Sequence, residues 1–349
     1  MNKNAILGLT AAALFLLSVF SYQGTQTRAE RFERGQKFLS QLNPDNIKQI
    51  DIKKGDEEVV LKRNEDQFVV AGHHGYPAKN ESVNRFIKDI LEIALEKEAG
   101  SGESDAAELH TKPGTEENIE ITLKSGPETV MVHFSVGKAT EDGRGRYLQR
   151  FDGNDQNIYL SSKGIFLSTG NDQFLNKEIL DIAAEEIASV SAPDFSITTQ
   201  ENQLALNDVP AGKEVNTSEL NNVTSALKGL SFEKVYLADD PQVQGLAFTN
   251  SVTFNLKDES DYRVTTAVKD NKTYLKISAN HKSQRIGVSM EDSEEQLEEK
   301  ASLLERMNEV QAFNQRHGSW VYELGDFTAK KFTQTKAGLL KDPEKKEKS

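Results

Sequence analysis

Two adjacent imidazoles, His73 and His74, are the first side chains along the sequence whose type invites chemistry. They stand in the run Gly72-His73-His74-Gly75-Tyr76-Pro77. A bound ion needs three or four converging ligands, and neighbours on an extended backbone point to opposite sides. The pair therefore reads as turn residues ahead of a helix. His110, His133, His281 and His317 are scattered and lack the His-Glu-x-x-His spacing of a metalloprotease. His133 alternates with Val132 and Phe134, which places it on the solvent face of a strand. Gly143-Arg144-Gly145-Arg146 has the composition of a phosphate loop. Such a cradle needs the amides of a following helix N-terminus, and here a strand begins at Tyr147. A hairpin is the better reading. The acidic run Glu291-Asp292-Ser293-Glu294-Glu295-Gln296 reads as a solvated helix start, where carboxylates meet the positive helix end. A calcium loop would need a glycine and a ligand spacing that this run lacks. Gly-x-Ser-x-Gly does not occur, and no Ser, Asp or Glu stands at a spacing that specifies a triad or a carboxylate pair. The expectation is a chain that is no enzyme, with catalytic, cofactor-binding and metal-binding residues all absent.

Composition narrows the class further. At 349 residues the chain is long enough for two domains. Hydrophobic residues make up 36% and charged ones 28%, a balance that suits thin layers of sheet and helix. The net charge of −13 would repel nucleic acid, whose phosphates require clustered Lys and Arg. Cysteine is absent, which excludes disulfides, thiolate metal sites, a Cys nucleophile and a lipoprotein anchor.

From Asn4 to Thr27 no side chain is charged, and Ala5 to Tyr22 is apolar apart from Thr10, Ser18, Ser21 and the Tyr22 hydroxyl. That stretch is at the short end of what crosses a hydrocarbon core, with Tyr22 where interfacial aromatics sit. Ser21-Tyr22-Gln23 and Thr27-Arg28-Ala29 are poor cleavage sites. Residues 1–27 are thus expected to form a cytoplasmic tip and an uncleaved transmembrane anchor that enters the membrane through residues 5–22. Arg28, Arg31, Arg34 and Lys37 follow it, and a mechanical positive-inside count would leave the body in the cytoplasm. A first segment behind a very short positive tail, here Lys3 and the amino terminus, inserts with that tail inside. The expected location is the bacterial inner membrane, single-pass, with the bulk of the chain periplasmic. Residues 28–43 are expected to form a helical stem with apolar contacts from Phe32, Phe38, Leu39 and Leu42, ended by Asn43-Pro44.

Beyond the stem the sequence repeats itself. Ile47, Ile50, Val59, Leu61, Gln67, Phe68 and Val70 are matched by Ile187, Val190, Phe195, Ile197, Gln203, Leu204 and Leu206. Both copies read as three short strands with tight turns. A proline follows in each (Pro77, Pro210), then an amphipathic helix: Val83, Phe86, Ile87, Ile90 and Leu91 in one, Leu220, Val223 and Leu227 in the other. Both helices are expected to end alike, at Glu96-Lys97 and Glu233-Lys234. Alternating strands come next, with Ile119, Ile121 and Leu123 set against Val252, Phe254 and Leu256. Val130, Val132, Phe134 and Val136 are likewise set against Tyr262, Val264, Thr266 and Val268, and Tyr147-Leu148 against Tyr274-Leu275. Each half reads as β-β-β-α-β-β-β, a sheet with one buried and one wet face. The first half is expected to close with a helical run around 172–186. The second adds a long acidic helix from about Glu291 to Arg316, striped by Leu297, Ala301, Leu304, Met307 and Val310, then a strand at Trp320-Val321-Tyr322. The expected class is α+β: a transmembrane helix followed by two similar repeats, 44–184 and 185–340, and a disordered tail at 341–349.

The opening Ile-x-x-Ile-x-Ile strand, Tyr76-Pro77 ahead of the helix, and Gly137, Tyr147 and Arg150 of the hairpin together resemble the bacterial domain-of-unknown-function family numbered 4340. The closing strand with Trp320 and Tyr322, followed by Lys330 and Lys331, is similar too. The resemblance covers about residues 44–340. It departs at Phe68, where the family often has Trp, and in the Gly/Ser-rich acidic loop Ala99 to Asp105. It implies a single-anchor extracytoplasmic protein, often encoded beside ABC transporters of the gliding-motility type, and hence an accessory role at a transporter. The expected partner is an ABC transporter permease or a second anchored accessory protein. Tyr236, in the segment Glu233 to Leu237, is the first candidate for partner binding between the halves. The rival expectation is an envelope hydrolase, or a polysaccharide- or solute-binding protein with a site between the repeats.

Overall fold

Period-two alternation of apolar residues governs most of the architecture. The computed structural model describes residues 34–153, 156–201, 203–283, 286–287 and 292–343. The expected anchor at 1–27 and the first residues of the stem lie outside them. Among the described residues no helix is long and apolar enough to cross a membrane. The fold is mostly β-sheet with some helices, and the chain divides after Asn176 into two compact units.

In the first unit, β1 (Gln49–Lys54), β2 (Glu57–Asn64) and β3 (Gln67–Val70) form a meander edged by the two-residue strand β4 (Tyr76–Pro77). Helix α1 (Asn80–Leu91) then leads to β5 (Leu95–Ser101) and the short helix α2 (Gly102–Glu108). β6 (Ile119–Lys124), β7 (Val130–Ala139), β8 (Arg146–Arg150) and β9 (Asn157–Ser161) complete one antiparallel sheet in the order β4-β3-β2-β1-β6-β7-β8-β9-β5. One row of partners runs Val70, Leu61, Ile50, Leu123, Val132 across five strands, every member buried. Each fully buried aliphatic side chain contributes roughly 1.5–3 kcal/mol. α1 turns Val83, Phe86, Ile87 and Ile90 inward, and Phe86 meets Phe174 edge to face at 5.8 Å.

The described part of the expected helical stem is not a helix. Residues 34–43 are turns folded into the first unit, where Lys37 bridges Ala94 and Phe38 packs edge-on to Phe134 at 5.4 Å. Phe38 and Leu39 are core residues, so burial has outweighed any local helical preference. The helical run expected around 172–186 is also absent. Two single-turn 3-10 segments, Asn171–Gln173 and Ala184–Glu186, flank the strand β10 (Glu178–Leu180), because Phe174, Ile179 and Ile182 reach the core as extended or turn residues.

The second unit contains β11 (Ile187–Ser191), β12 (Ser196–Gln200), β13 (Gln203–Leu206), β14 (Glu214–Val215), α3 (Thr217–Thr224), β15 (Leu230–Ser231) and β16 (Lys234–Leu237). β17 (Asn250–Leu256), β18 (Ser260–Lys269) and β19 (Lys272–His281) follow, then α4 (Glu294–His317), β20 (Trp320–Leu324), α5 (Asp326–Phe332) and β21 (Leu340–Lys341). Its sheet runs β13-β12-β11-β17-β18-β19-β20-β16. Position by position this is the order β3-β2-β1-β6-β7-β8-β9-β5 of the first sheet. Glu96-Lys97 and Glu233-Lys234 fall at equivalent places, yet they open the edge strands β5 and β16 and do not end the helices, which stop at Leu91 and Thr224.

Hydrogen-bond register corrects the matching of the later strands. The row equivalent to Val70, Leu61, Ile50, Leu123 and Val132 is Leu206, Ile197, Val190, Phe254 and Tyr262. Leu123 thus corresponds to Phe254, two residues before the position that pattern matching assigns. A two-residue slip keeps every side chain on its face, so alternation alone cannot detect it.

The stripe expected on α4 is not a core stripe. Ser293 and Gln296 form a reciprocal cap at its start, but Leu297 and Leu304 are about 40% exposed. The helix is fastened near its C-terminal end. Asn314 exchanges two hydrogen bonds with the backbone of Ala279, at 2.8 and 2.7 Å, and Phe313 meets Tyr262 at 5.2 Å.

Candidate functional site

The second unit holds a cleft of about 510 Å³ at the β13 edge of its sheet, beneath α3. Asn216 caps α3 by accepting from the Glu219 amide, which fixes where the helix starts. Leu220, Val223 and Thr224 then face inward, and Leu220 and Thr224 line the cleft together with Leu206 and Ile187. Leu204 and Val215 form opposing walls. Thr199, Gln203 and Asn221 give the opening hydrogen-bonding capacity, while Glu185 and Lys257 place one charge of each sign in the lining.

The cleft is open because β14 pairs away from β13. Glu214 and Val215 pair with Lys341 and Leu340, and Asn216 N–H donates to Leu339 O at 2.9 Å. Lys213 adds an ion pair to Asp342 at 2.6 Å. Leu340 at the end of the expected second repeat and Lys341 at the start of the expected tail are therefore strand residues. Among the described residues no strand pairs with the outer edge of β13. Its lining chemistry fits an extended or small ligand held by backbone and hydroxyl hydrogen bonds over an apolar floor. A smaller cavity of about 200 Å³ in the first unit lies beside the end of α1, lined by Glu92, Ser161, Lys163 and the 88% exposed Phe166.

Tyr236 sits on the edge strand β16 and packs within its own unit. Its ring joins Tyr274, Val243 and Val321, and its hydroxyl donates to Glu323 Oε2 at 2.8 Å. Burial and then the Glu323 carboxylate push its pKa well up. Glu323 is 3% exposed and also accepts from Lys272 Nζ at 2.7 Å. Burial alone would raise its pKa, but the bonds from Lys272 and Tyr236 outweigh that and hold it below the usual carboxylate value. Sequence reasoning missed this Tyr236–Glu323–Lys272 network. The available signal was a lone carboxylate inside the apolar strand Trp320-Val321-Tyr322-Glu323-Leu324.

His73 ends a 3-10 turn, and His74 adopts φ 55° just after it. His133 pairs with Glu120 at 2.8 Å across β6 and β7 and stacks on Phe151 at 5.0 Å. His281 lies between Asp258 O and the Ser283 amide. His317 is 2% exposed, with Nδ1 2.7 Å from the Tyr322 hydroxyl; burial, then Arg316, lowers its pKa to about 4. Among the described residues no group of three His, Asp or Glu side chains converges as a metal would require. Gly143 to Gly145 make a hairpin turn in which Thr140 N–H donates to Gly145 O at 2.9 Å. Arg146 opens β8 and donates from Nε to Gly137 O at 2.8 Å. Gly137 itself has no room for a side chain, since a Cβ would overlap the backbone carbonyl of Leu109.

The pattern of a family described as a domain of unknown function (DUF4340) matches residues 69–248. No curated protein matches the chain, and no solved structure does. The matched span begins in β3 and ends just ahead of β17, taking in α1, the paired strands β5 to β9, and the β12, β13 and α3 walls of the cleft. With more than half of its length covered, the chain belongs to the DUF4340 family.

Proposed function

We propose that the chain is a membrane-anchored, extracytoplasmic interaction module, an accessory subunit of an ABC-type transport or envelope assembly, built on a duplicated α+β unit. The observation that carries this reading is α4. Its 24 residues extend over about 36 Å. They are fixed near the C-terminal end, while Leu297, Ala301 and Leu304 stand exposed at helical spacing upstream. Apolar side chains left partly in solvent on an acidic helix, while Met307 and Val310 of the same stripe are half-buried, suit docking against another protein. The same order of eight strands in the two sheets, with β4 added at the edge of the first, supports duplication. The uncharged run Asn4 to Thr27 supports the anchor, and the family resemblance supports the transporter association. Tyr236 has no part in this reading, because its ring and hydroxyl are engaged inside the second unit.

Purification from membranes in mild detergent, followed by identification of stoichiometric companions, tests the assembly. Recovery of an ABC permease or of a second anchored protein is expected. A chain that elutes alone and hydrolyses an envelope polymer would overturn the reading.

A further inference from the structure

The two units close their helix-leading segments in the same way, and then differ at one edge. In the first unit Ala78 bridges Leu175, and Lys79 N–H donates to Phe174 O at 2.7 Å. In the second, Val215 pairs with Leu340, and Asn216 N–H donates to Leu339 O at 2.9 Å. So far the pattern is the same. The first unit adds a second contact: β4 zips onto β3, with Gly75 N–H donating to Val70 O at 3.1 Å and Ala78 N–H to Phe68 O at 2.8 Å. Tyr76 on that strand is the register partner of Val70 and is 2% exposed. The second unit has no such strand on β13 among its described residues, and its 510 Å³ cleft lies between β13 and Val215.

Register shows that the edge is ready for a strand. Asn207 N–H donates to Ser196 O at 2.9 Å, so alternation turns the amides and carbonyls of Ala205 and Gln203 toward β12. Leu204 and Leu206 therefore direct theirs outward, as Phe68 and Val70 do where β4 meets them. Glu185 in the cleft lining and its exposed chain neighbour Glu186, with Glu214 next to the lining residue Val215, are set against Lys257 in the lining. Lys213 is already paired with Asp342.

We propose that the outer edge of β13 accepts an extended segment of a partner polypeptide as an added strand. A large apolar or aromatic side chain of that segment lodges in the cleft beneath α3, as the counterpart of Tyr76 in the first unit, and a basic residue meets the acidic rim. Main-chain hydrogen bonds supply affinity in such strand addition, and the side-chain pocket supplies selectivity. This rests on the interaction-module reading and adds the chemical form of the partner.

The probe is a fluorescein-labelled peptide with the sequence of residues 73–79, which carries Tyr76 and Lys79. It is titrated against the full chain in detergent. Saturable binding is expected, at least tenfold weaker when glycine replaces the tyrosine of the peptide. Leu204→Pro removes an outward amide together with one apolar side chain of the cleft lining, and edge strands tolerate proline in that position. Asn221→Trp fills the cleft from an exposed site on α3. Each variant should weaken binding at least tenfold with an unchanged melting temperature, and saturating peptide should slow exchange of the Leu204 and Leu206 amides. No saturable binding at about 1 mM peptide, or equal binding by both variants, overturns the proposal. If a permease co-purifies equally well with the wild type and with Leu204→Pro, strand addition falls and the functional reading stands.

Discussion

His317 carries a clear pH signature among the described residues. It is enclosed by Phe313 of its own helix and Tyr322 of β20, with Arg316 as the neighbouring charge. An imidazolium there would need solvation that the site denies it. The folded pKa of about 4 lies below the ordinary 6.5, so the folded state binds fewer protons. This contribution is fully present above pH 6.5, is lost as pH falls from 6.5 toward 4, and changes no further below that. Its size is on the order of 3 kcal/mol. Urea denaturation at a series of pH values should show the slope, and His317→Asn should flatten it across that window. At Glu323 the expectation concerns hydrogen bonds. Glu323→Ala leaves the Tyr236 hydroxyl without its acceptor, at a cost of about 1–3 kcal/mol, whereas Glu323→Gln keeps an acceptor and loses less. Equal losses in the two variants would contradict the assigned role of that oxygen.

Among the elements, α4 and the central strands behave oppositely. Phe134 on β7 is fully buried against Phe38, so Phe134→Ala should destabilise the first unit by about 3–5 kcal/mol in chemical denaturation. Leu297 and Leu304 on α4 lie in solvent, and Leu297→Asp with Leu304→Asp should change stability by only about 0.5 kcal/mol each. If the exposed stripe is a docking face, the same double variant should lose the co-purifying partner. A large drop in melting temperature would instead show that the stripe is covered within the protein. The 24-residue acidic helix is legible from its capping residues and from its composition. That Leu297, Ala301 and Leu304 of its stripe stay exposed while Met307 and Val310 are half-buried is not legible, because periodicity reports a face and not what covers it.

At the scale of the whole molecule, the proposed anchor carries the expectation that the two units lie on the extracytoplasmic side of a membrane. Alkaline phosphatase and a fluorescent protein, fused separately after Ser349, give opposite readouts. Phosphatase activity without fluorescence is expected, and the reverse would place the body in the cytoplasm and remove the extracytoplasmic part of the functional reading. The matched strand orders make a second expectation, that one ancestral unit was duplicated. Cross-strand cysteine pairs introduced at Leu123/Val132 and at Phe254/Tyr262 should form disulfides in both units, since both are register partners. Formation in only one unit would contradict the equivalence.

The sequence by itself determined the antiparallel sheets, the two helices that follow the opening meanders, and the repeat of one on the other. Each depends on local information, such as alternation in Ile119 to Leu123, a turn at Lys54-Gly55, or an apolar stripe from Val83 to Leu91. It also located the Gly143 hairpin, because a strand and not a helix follows it at Arg146. Tertiary structure alone decided the register of the later strands, where a two-residue slip leaves the pattern unchanged. It also folded residues 34–43 into the core, where the burial of Phe38 and Leu39 overrides local preference. Above all, it decided that β14 pairs with β21 and leaves the outer edge of β13 without a strand among the described residues. That choice joins segments more than a hundred residues apart, and a short strand bears no mark of which of two available edges it will meet.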